Sequence, residues 1–336
     1  MEKNSASGEE RRGRGPSSQS FEMEHVPVLV NPVLEHLKLR AGGRYLDGTV
    51  GLGGHARAML QATGGSIKIL GLDRDSEALD RAAEALQQEG LSKQVHLIQA
   101  RFSRFREAMH QVGWERLHGA LLDLGLSSLQ LDSPGRGFSL YHDGPLDMRM
   151  GQSEGLPQAA WIVNRAPFER LKQIIRDYGE EPLAGKIARR IVKIRQEKPI
   201  QTTLELAEVV RLAYPPQKRH SARNHPATRT FQALRIAANE ELEELQEFLE
   251  HIGEVLLPGS RVAVISFHSL EDRMVKQSFR RASRSCRCPE TQPRCTCGGR
   301  ATMDVITKKP VVPDAEEMKA NRRSRSAKLR VAEALP

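Results

Sequence analysis

Short apolar runs alternate with helical patterns along the chain from residue 44 onward. This alternation is typical of a parallel sheet that is covered by helices on both faces. We therefore expect an α/β protein with a doubly wound, Rossmann-like sheet. The predicted strands are 44–47, 67–73, 95–98 and 118–124, and the helices predicted between them include 55–60 and 76–88.

A long helical stretch separates the fourth predicted strand from the fifth, which is 261–267 (RVAVISF). Between them, apolar residues recur at helical spacing over 168–178 and 183–195, and a shorter helix is predicted over 204–213. Neighbouring strands of a doubly wound sheet need only one crossover helix. The additional helices predict that 133–235 forms an inserted helical domain that recognises the substrate.

The rest of the sheet is predicted to lie in two separate parts of the chain. The discontinuous core then comprises 21–132 and 236–336, and the helix 239–252 supplies the ordinary crossover to the fifth strand. Two later apolar pieces, 303–307 and 328–332, are expected to complete the sheet in antiparallel orientation.

Lys and Arg outnumber Asp and Glu by 51 to 42 in the 336-residue chain, which gives a net charge of +9. A positive balance suits a polyanionic partner such as RNA. Aromatic residues make up only 4% of the chain. Phosphate contacts would therefore contribute more to RNA binding than base stacking.

The N-terminal residues 1–20 are polar and charged and contain almost no large apolar side chains. Such a segment cannot bury enough surface to order itself, so a disordered tail is predicted. The sequence shows neither an apolar run of membrane-spanning length nor the hydrophobic stretch of a secretory signal. We therefore expect a cytoplasmic protein with no membrane partner.

The densest candidate chemistry is the glycine-rich turn DGTVGLGGH at 47–55. Glycines at a strand-to-helix turn let backbone N–H groups approach a ligand closely. Asp73 ends the next strand, where a carboxylate can accept both hydroxyls of a ribose. With Asp47 and Asp123, it falls at the strand ends where open sheets bind ligands. Each Asp taken singly would equally serve as a helix cap or turn residue.

Two cofactors fit this pattern. Gly51-x-Gly53-x-x-Ala56 satisfies the dinucleotide fingerprint, which would indicate an NAD-dependent oxidoreductase. Asp47 at the mouth of the turn would repel a pyrophosphate, but it tolerates the sulfonium and ammonium of S-adenosylmethionine. The residues therefore favour a methyltransferase. A non-catalytic RNA-binding assembly factor on a vestigial cofactor fold is the third hypothesis.

Motifs along the whole chain resemble those of the MraW/RsmH family of bacterial ribosomal RNA methyltransferases. The similarity runs in the family's order over roughly residues 24–334, which makes coincidence untenable. The matching segments are HVPVL at 25–29, DGTVGLGGH at 47–55, DLGLSSLQLD at 123–132, GFS at 137–139, DGPLDMRM at 143–150, YGEE at 178–181, HPATRTFQ at 225–232, SFHSLEDR at 266–273 and RSRSAKLR at 323–330.

The resemblance implies a class I S-adenosylmethionine-dependent methyltransferase. It implies methylation of the exocyclic N4 of a cytosine in the decoding region of small-subunit (16S) ribosomal RNA. The partner would be this RNA or the small ribosomal subunit, with no obligate protein partner. It also implies the residues of the cofactor site. Asp73 would bind the ribose, Phe102 would contact the adenine, and Asp123 and Gln130 would complete the pocket. The methionine end would be held by Gly53, Gly54 and His55. Phe102 would equally serve as an ordinary core residue.

The catalytic residue stays unassigned. Many amino-methyltransferases carry Asp/Asn-Pro-Pro-aromatic after the fourth strand, but here Leu124-Gly125-Leu126 follows the acid. An acceptor for the N4 hydrogens would favour the nucleophilic amine and take up the released proton. Methyl transfer requires neither a nucleophilic cysteine nor a metal. The candidate acceptors are Asp123, Ser127, Ser128, Asp147 and nearby carbonyls, and His268 would line the pocket or, more simply, complete a turn.

Basic residues are concentrated in 186–235, which holds twelve Lys or Arg against three acids, whereas 236–256 holds seven acids and no Lys or Arg. A solvated helix face would also carry basic residues, but the local excess favours an RNA-facing surface. The C-terminal Lys319–Arg330, with six basic residues, is expected to become ordered only on RNA. The predicted RNA-facing residues are Lys186, Arg189, Arg190, Lys193, Arg195, Lys218, Arg219, Arg223 and Arg229.

All four cysteines lie in one segment as two Cys-x-Cys pairs. A cytosolic setting disfavours disulfides, and four thiolates can form a tetrahedral structural zinc site. Free thiols in a loop are the alternative, and the spacing leaves both possibilities open. These residues are Cys286, Cys288, Cys295 and Cys297.

Overall fold

The computed structural model describes residues 27–152, 154–220, 225–286, 288, 292 and 296–336. The predicted disordered tail at 1–20 and the motif residues His25 and Val26 lie outside these described residues.

In the part of the chain that the structure describes, seven strands form one sheet at the centre of the protein. Its strands are β1 (Arg44–Asp47), β2 (Lys68–Asp73), β3 (Val95–Gln99), β4 (Leu117–Asp123), β5 (Leu256–Ser266), β6 (Met303–Val305) and β7 (Lys328–Ala334). The order across the sheet is β3-β2-β1-β4-β5-β7-β6, with β1 to β5 parallel. The last two strands pair in antiparallel orientation. The predicted Rossmann-like α/β fold and its antiparallel completion are confirmed.

The helices of the described residues alternate with the strands as far as β4 and then form a continuous series up to β5. In chain order they are α1 (Val30–Leu37), α2 (Gly54–Ala62), α3 (Ser76–Gln88), α4 (Phe105–Gln111), α5 (Ser128–Asp132), α6 (Ala159–Arg165), α7 (Phe168–Asp177), α8 (Ala184–Glu197), α9 (Thr203–Ala213), α10 (Pro216–His220), α11 (Thr228–Asn239), α12 (Glu241–Val255), α13 (Ser269–Ala282) and α14 (Ala315–Ala320). Within the part of the chain that the structure describes, none of these helices has the length and apolar character needed to cross a bilayer.

α12 packs into the core of the sheet, but most of the other helices between β4 and β5 share a hydrophobic core of their own. Its buried residues run from Phe138 to Ala238, whereas two other clusters contain the buried residues of the sheet and its covering helices. Ile187 and Ile191 of α8 are fully buried in it, as the helical spacing predicts. A separate core supports an inserted helical unit, while its boundaries at 133 and 235 stay a prediction.

The crossover helix begins two residues later than predicted. Glu240 has a left-handed backbone conformation (φ 54°), which separates α11 from α12. Leu245, Leu249 and Ile252 are buried on the inner face of α12, and Phe248 is fully buried as well. Phe248 is covered because α12 packs on both the sheet and the turn after β3.

The expectation that Lys319–Arg330 is ordered only on RNA is wrong. This segment forms the end of α14, a 3-10 turn (Arg322–Ser326) and the start of β7. Leu329 is fully buried because β7 lies inside the sheet, paired with β5 on one side and β6 on the other. Tertiary pairing therefore orders the segment without a ligand.

Candidate active site

Three carboxylates meet at one edge of the sheet. Asp47, Asp73 and Asp123 are the last residues of β1, β2 and β4, which are neighbours in the sheet. Because these strands are parallel, their carboxyl ends open on the same crevice. The chain thus concentrates negative charge at the position where this fold binds its ligands.

The turn after β1 is closely packed beneath this crevice. The Gly48 amide donates to the Leu121 carbonyl at 2.9 Å, and an added Cβ would lie 2.5 Å from Leu122 Cδ2, so any larger residue would force the Leu122 side chain to shift. Gly53 has a φ of +80° and starts α2 without a side-chain cap. The backbone amides at the start of α2, from Gly54 onward, are therefore suited to an anionic group.

His55 lies buried between two of the carboxylates. Its Nε2 is 3.4 Å from Asp123 Oδ2. Burial raises the pKa of Asp47 to about 7, and the nearby Asp123 and Asp73 carboxylates add to this effect. Burial alone would lower the pKa of His55, but Asp123 and Asp47 outweigh it and the pKa is raised. Among the described residues, none donates a hydrogen bond to Asp47 Oδ2 or Asp123 Oδ1.

Asp73 is held by backbone amides at the end of β2. Its Oδ2 accepts from the Gly51 amide and its Oδ1 from the Asp75 amide, both at 2.9 Å. Burial raises the pKa of Asp73 to about 6. A carboxylate oxygen has two lone pairs, so both oxygens can still accept from a ligand hydroxyl.

Gln130 contacts the cofactor crevice indirectly, through Asp75. Its Nε2 donates to Asp75 Oδ2 at 3.1 Å, and its Oε1 accepts from the Ser127 amide in a capping box. Arg136 Nη1 donates to the same Asp75 oxygen at 2.8 Å. Since the Asp75 amide also binds Asp73, both side chains brace the turn that positions Asp73.

Phe102 lies between the protein core and the glycine turn. Its Cβ is 3.1 Å from the position that a Cβ on Gly48 would take, and its ring packs edge-on against Phe248 with centroids 5.8 Å apart. Beside it, at the ends of β2 and β3, an open cavity of about 540 Å³ is lined by residues that include Arg74 and Gln99. This position is compatible with both predicted roles of Phe102, adenine contact and core packing.

Residues 22–335 match the model of the MraW methylase family. The chain belongs to this family. It is 56% identical over 312 residues to ribosomal RNA small subunit methyltransferase H of Solidesulfovibrio magneticus, which covers 93% of this chain and 96% of the relative. The enzyme of the same name from Maridesulfovibrio salexigens is 54% identical, covering 92% and 95%.

An rRNA methylase structure from Streptococcus thermophilus aligns at a TM-score of 0.39 and 11% identity, covering 91% of this chain and 94% of that one. The assignment to the MraW methylase family rests on the sequence matches. It confirms the predicted methyltransferase, for which S-adenosylmethionine is the methyl donor.

Two of the four side chains considered as proton acceptors in this MraW methylase have structural partners. Asp147 forms a two-pronged ion pair with Arg149 at 2.7 and 2.9 Å and also accepts from Gln158. Burial opposes ionisation of Asp147, but these partners prevail and its pKa is lowered. Ser127 caps α5. Both residues therefore have evident roles in holding the fold.

The remaining side chains considered for the pocket differ in their hydrogen-bond partners. His268 caps α13 in a capping box with Glu271, which agrees with the favoured turn role. The side chain of Ser128 lies outside the described residues. Asp123 alone among the side chains considered within the described region keeps an oxygen without a hydrogen-bond partner.

Sequence reasoning missed three residues that shape this site. Thr49 Oγ1 accepts from the Asp123 amide at 2.6 Å and so ties the glycine turn to β4. Asp75 and Arg136 form the ion pair that braces the second strand end. A signal for Asp75 was present, because an Asp directly before a predicted helix is a typical N-cap. Arg136 had no comparable signal.

The predicted basic surface on α8 is only partly exposed. Lys186, Arg189 and Lys193 are exposed, whereas Arg190 is half-buried. Arg195 is a structural residue, because its guanidinium donates to the Val163 carbonyl at 2.7 Å.

The rest of the predicted set includes one residue with structural partners and one exposed residue. Arg219 donates to the Tyr214 and Leu212 carbonyls, so it holds the end of α9. Arg229 is exposed. Arg223 and the side chain of Lys218 lie outside the described residues.

Proposed function

We propose that this MraW methylase transfers a methyl group from S-adenosylmethionine to the exocyclic N4 of a cytosine in the decoding region of 16S ribosomal RNA. The relatives named ribosomal RNA small subunit methyltransferase H support the small-subunit RNA as the substrate. The N4 position and the decoding region are supported by the motif resemblance.

The crevice chemistry carries the cofactor part of this proposal. Asp47 Oδ2 is buried without a hydrogen-bond partner, and Asp123 Oδ1 is similarly unpaired, close to the uncapped start of α2. Buried polar atoms of this kind normally have a partner. S-adenosylmethionine, when bound, supplies an electrophilic methyl group together with two cationic groups and a carboxylate. Carboxylates for the cations and helix amides for the anion are both present, whereas a dinucleotide pyrophosphate would be repelled.

We assign the seven predicted residues to this ligand as follows. The amides of the glycine turn and of α2 bind the amino-acid end, Asp73 binds the ribose and Phe102 lies against the adenine. Asp123 closes the crevice on the β4 side. Gln130 contributes indirectly by bracing the turn that carries Asp73. The residues whose amides bind the amino-acid end are Gly53, Gly54 and His55.

Asp123 is also the acceptor that we propose for the amino group of the substrate. A carboxylate that accepts an N4 hydrogen directs the nitrogen lone pair away from the ring conjugation and takes up the proton after transfer. His55 lies 3.4 Å from the other Asp123 oxygen, which helps to hold the carboxylate in place. Most of the rate enhancement would come from positioning two reactants in line.

Nucleoside mass spectrometry tests the reaction. Small subunits from cells that lack this protein would be incubated with isotopically labelled S-adenosylmethionine and the purified enzyme. We expect label in N4-methylcytidine within one decoding-region fragment. Label in a base- or ribose-methylated nucleoside of another kind would contradict the N4 assignment, and label in another RNA region would contradict the site.

An Asp123→Asn variant tests the acceptor. The amide preserves the shape but lacks the negative charge, so we expect a fall in kcat of about 10²-fold or more. Binding of the small subunit should be unchanged. Wild-type kcat in this variant would exclude Asp123 as the acceptor. Calorimetry with NAD tests the alternative cofactor, and tight binding would contradict the methyl-donor assignment.

A further inference from the structure

Three cysteine thiols converge at the end of α13. The Sγ atoms of Cys286, Cys288 and Cys297 all lie within 4.8 Å of one another. Cys286 and Cys297 are exposed and Cys288 is half-buried, so hydrophobic burial does not explain why they meet. Thiols at this spacing are arranged as metal ligands are.

The backbone on both sides of the loop independently holds this arrangement. The Thr302 amide donates to the Ala282 carbonyl at 2.9 Å and closes the loop at its base. An added Cβ on Gly299 would lie 2.5 Å from the Ser285 carbonyl oxygen and 3.3 Å from Cys297 Sγ. Glycine is therefore needed for the returning chain to pass beside Ser285, immediately before the first cysteine.

We propose that Cys286, Cys288 and Cys297 bind a structural Zn²⁺ ion. Tetrahedral coordination with Zn–S bonds of about 2.3 Å places sulfur atoms about 3.8 Å apart, which the observed cluster accommodates. A disulfide would join only two of the three thiols. The fourth position is taken by a water molecule or a further side chain, and the remaining cysteine of the sequence, Cys295, lies outside the described residues.

The cysteine loop joins α13 to the sheet. It follows the last turn of α13, which carries Arg280 and Arg281. The loop leads directly into β6, the outermost strand on the side of the sheet remote from β2 and β3. The ion would therefore fasten α13 to this sheet edge and would take no part in methyl transfer.

Metal analysis of the full-length protein, purified without a metal-affinity step, tests the site. We expect about one zinc per chain, and we expect Cys286→Ser and Cys297→Ser to lose it. Ser285→Ala, in the same loop, is the matched control and should retain the metal. In wild-type protein, a thiol-modifying mercurial should release the zinc, and Co²⁺ reconstitution should show thiolate charge-transfer absorption.

The measurements on wild-type protein keep the proposal testable if a variant fails to fold. Metal-free wild-type protein with unchanged thermal stability would overturn it, as would zinc content that survives both serine substitutions. A mass that reveals a disulfide among these cysteines in freshly purified protein would overturn it too.

Discussion

Arg136 Nη1 donates to Asp75 Oδ2 at 2.8 Å, and both side chains are almost fully buried. Asp75 begins α3 directly after β2, whereas Arg136 belongs to the 3-10 turn that follows α5. Arg136 also donates to the Met150 carbonyl. This ion pair therefore fastens the chain after β4 to the strand end that carries Asp73, and it couples the cofactor crevice to the start of the helical insertion.

Removing Arg136 should destabilise the protein strongly. Arg136→Ala leaves a buried carboxylate without its cation, which typically costs about 3–5 kcal/mol. Urea unfolding measures the change. Arg81→Ala is the matched control, because Arg81 forms an exposed ion pair with Glu77 whose loss should cost at most about 1 kcal/mol. Similar stability losses in the two variants would show that the buried pair has no special role.

Removing the Asp73 carboxylate should weaken cofactor binding. Asp73→Ala loses a charge-assisted hydrogen bond of about 1.5–3 kcal/mol, so the Kd for S-adenosylmethionine should rise by roughly tenfold or more. Calorimetry measures the Kd. Asp80→Ala, on the exposed face of α3, is the control and should bind normally. Unchanged affinity in folded Asp73→Ala protein would remove Asp73 from the cofactor site.

The stability of the cofactor-free enzyme should depend on Asp47. Its pKa is raised from 3.8 to about 7 in the folded protein, so the folded state retains a proton that the unfolded state has lost in this range. The stability that this proton contributes is present below pH about 4 and is lost as the pH rises to about 7. Asp47→Asn should flatten this part of the profile in urea unfolding from pH 5 to 8. A slope identical to that of the wild type would contradict the assignment.

Cofactor affinity should show the opposite trend with pH. A cationic ligand favours the ionised carboxylates, so S-adenosylmethionine should bind more tightly as Asp73 and Asp47, with pKa values of about 6 and about 7, lose their protons. The Kd should fall between pH 5.5 and 7.5 and then level off. Asp47→Asn should lose the upper part of this dependence. A Kd that is constant across the range would show that the ionisation of neither carboxylate contributes to cofactor binding.

Reversing the exposed charges of α8 should weaken RNA binding. Substituting Glu for Lys186, Arg189 and Lys193 removes phosphate contacts, so affinity for 16S ribosomal RNA should fall. The slope of log affinity against log salt concentration should become shallower by at most about three. Cofactor affinity should not change, because the buried face of α8 is untouched. Filter binding at several salt concentrations measures the RNA affinity and its salt dependence.

A matched control distinguishes local contacts from overall charge. Glu at Arg81, Lys93 and Arg116 makes the same change in net charge at exposed positions of the core. We expect much weaker effects on RNA binding there. Equal losses in both variants would indicate that the α8 surface acts only through net charge, and wild-type binding in the α8 variant would exclude it as the RNA surface.

Local patterns in the chain were enough to predict most of the sheet. β1, β2, β4 and the later half of β5 bury nearly continuous apolar runs, whereas β3 at the sheet edge is only half-buried. The spacing within α7, α8 and α9 shows their buried faces directly. The strand-end carboxylates were predictable for the same reason, since parallel strands bring their carboxyl ends to one edge. Methyltransferase function and the methyl donor followed from motifs that match the family in order.

Tertiary structure alone decided what these residues contact. Arg136 pairs with Asp75 across 61 residues of chain. The segment Lys319–Arg330 looks like a basic tail in the sequence, but pairing of β7 with β5 orders it. Periodicity predicts which face of a helix or strand is buried, because the residues of one face recur at a fixed spacing within a short stretch of chain. Buried ion pairs such as Arg136 with Asp75 depend on distant segments coming together, and no local pattern encodes that.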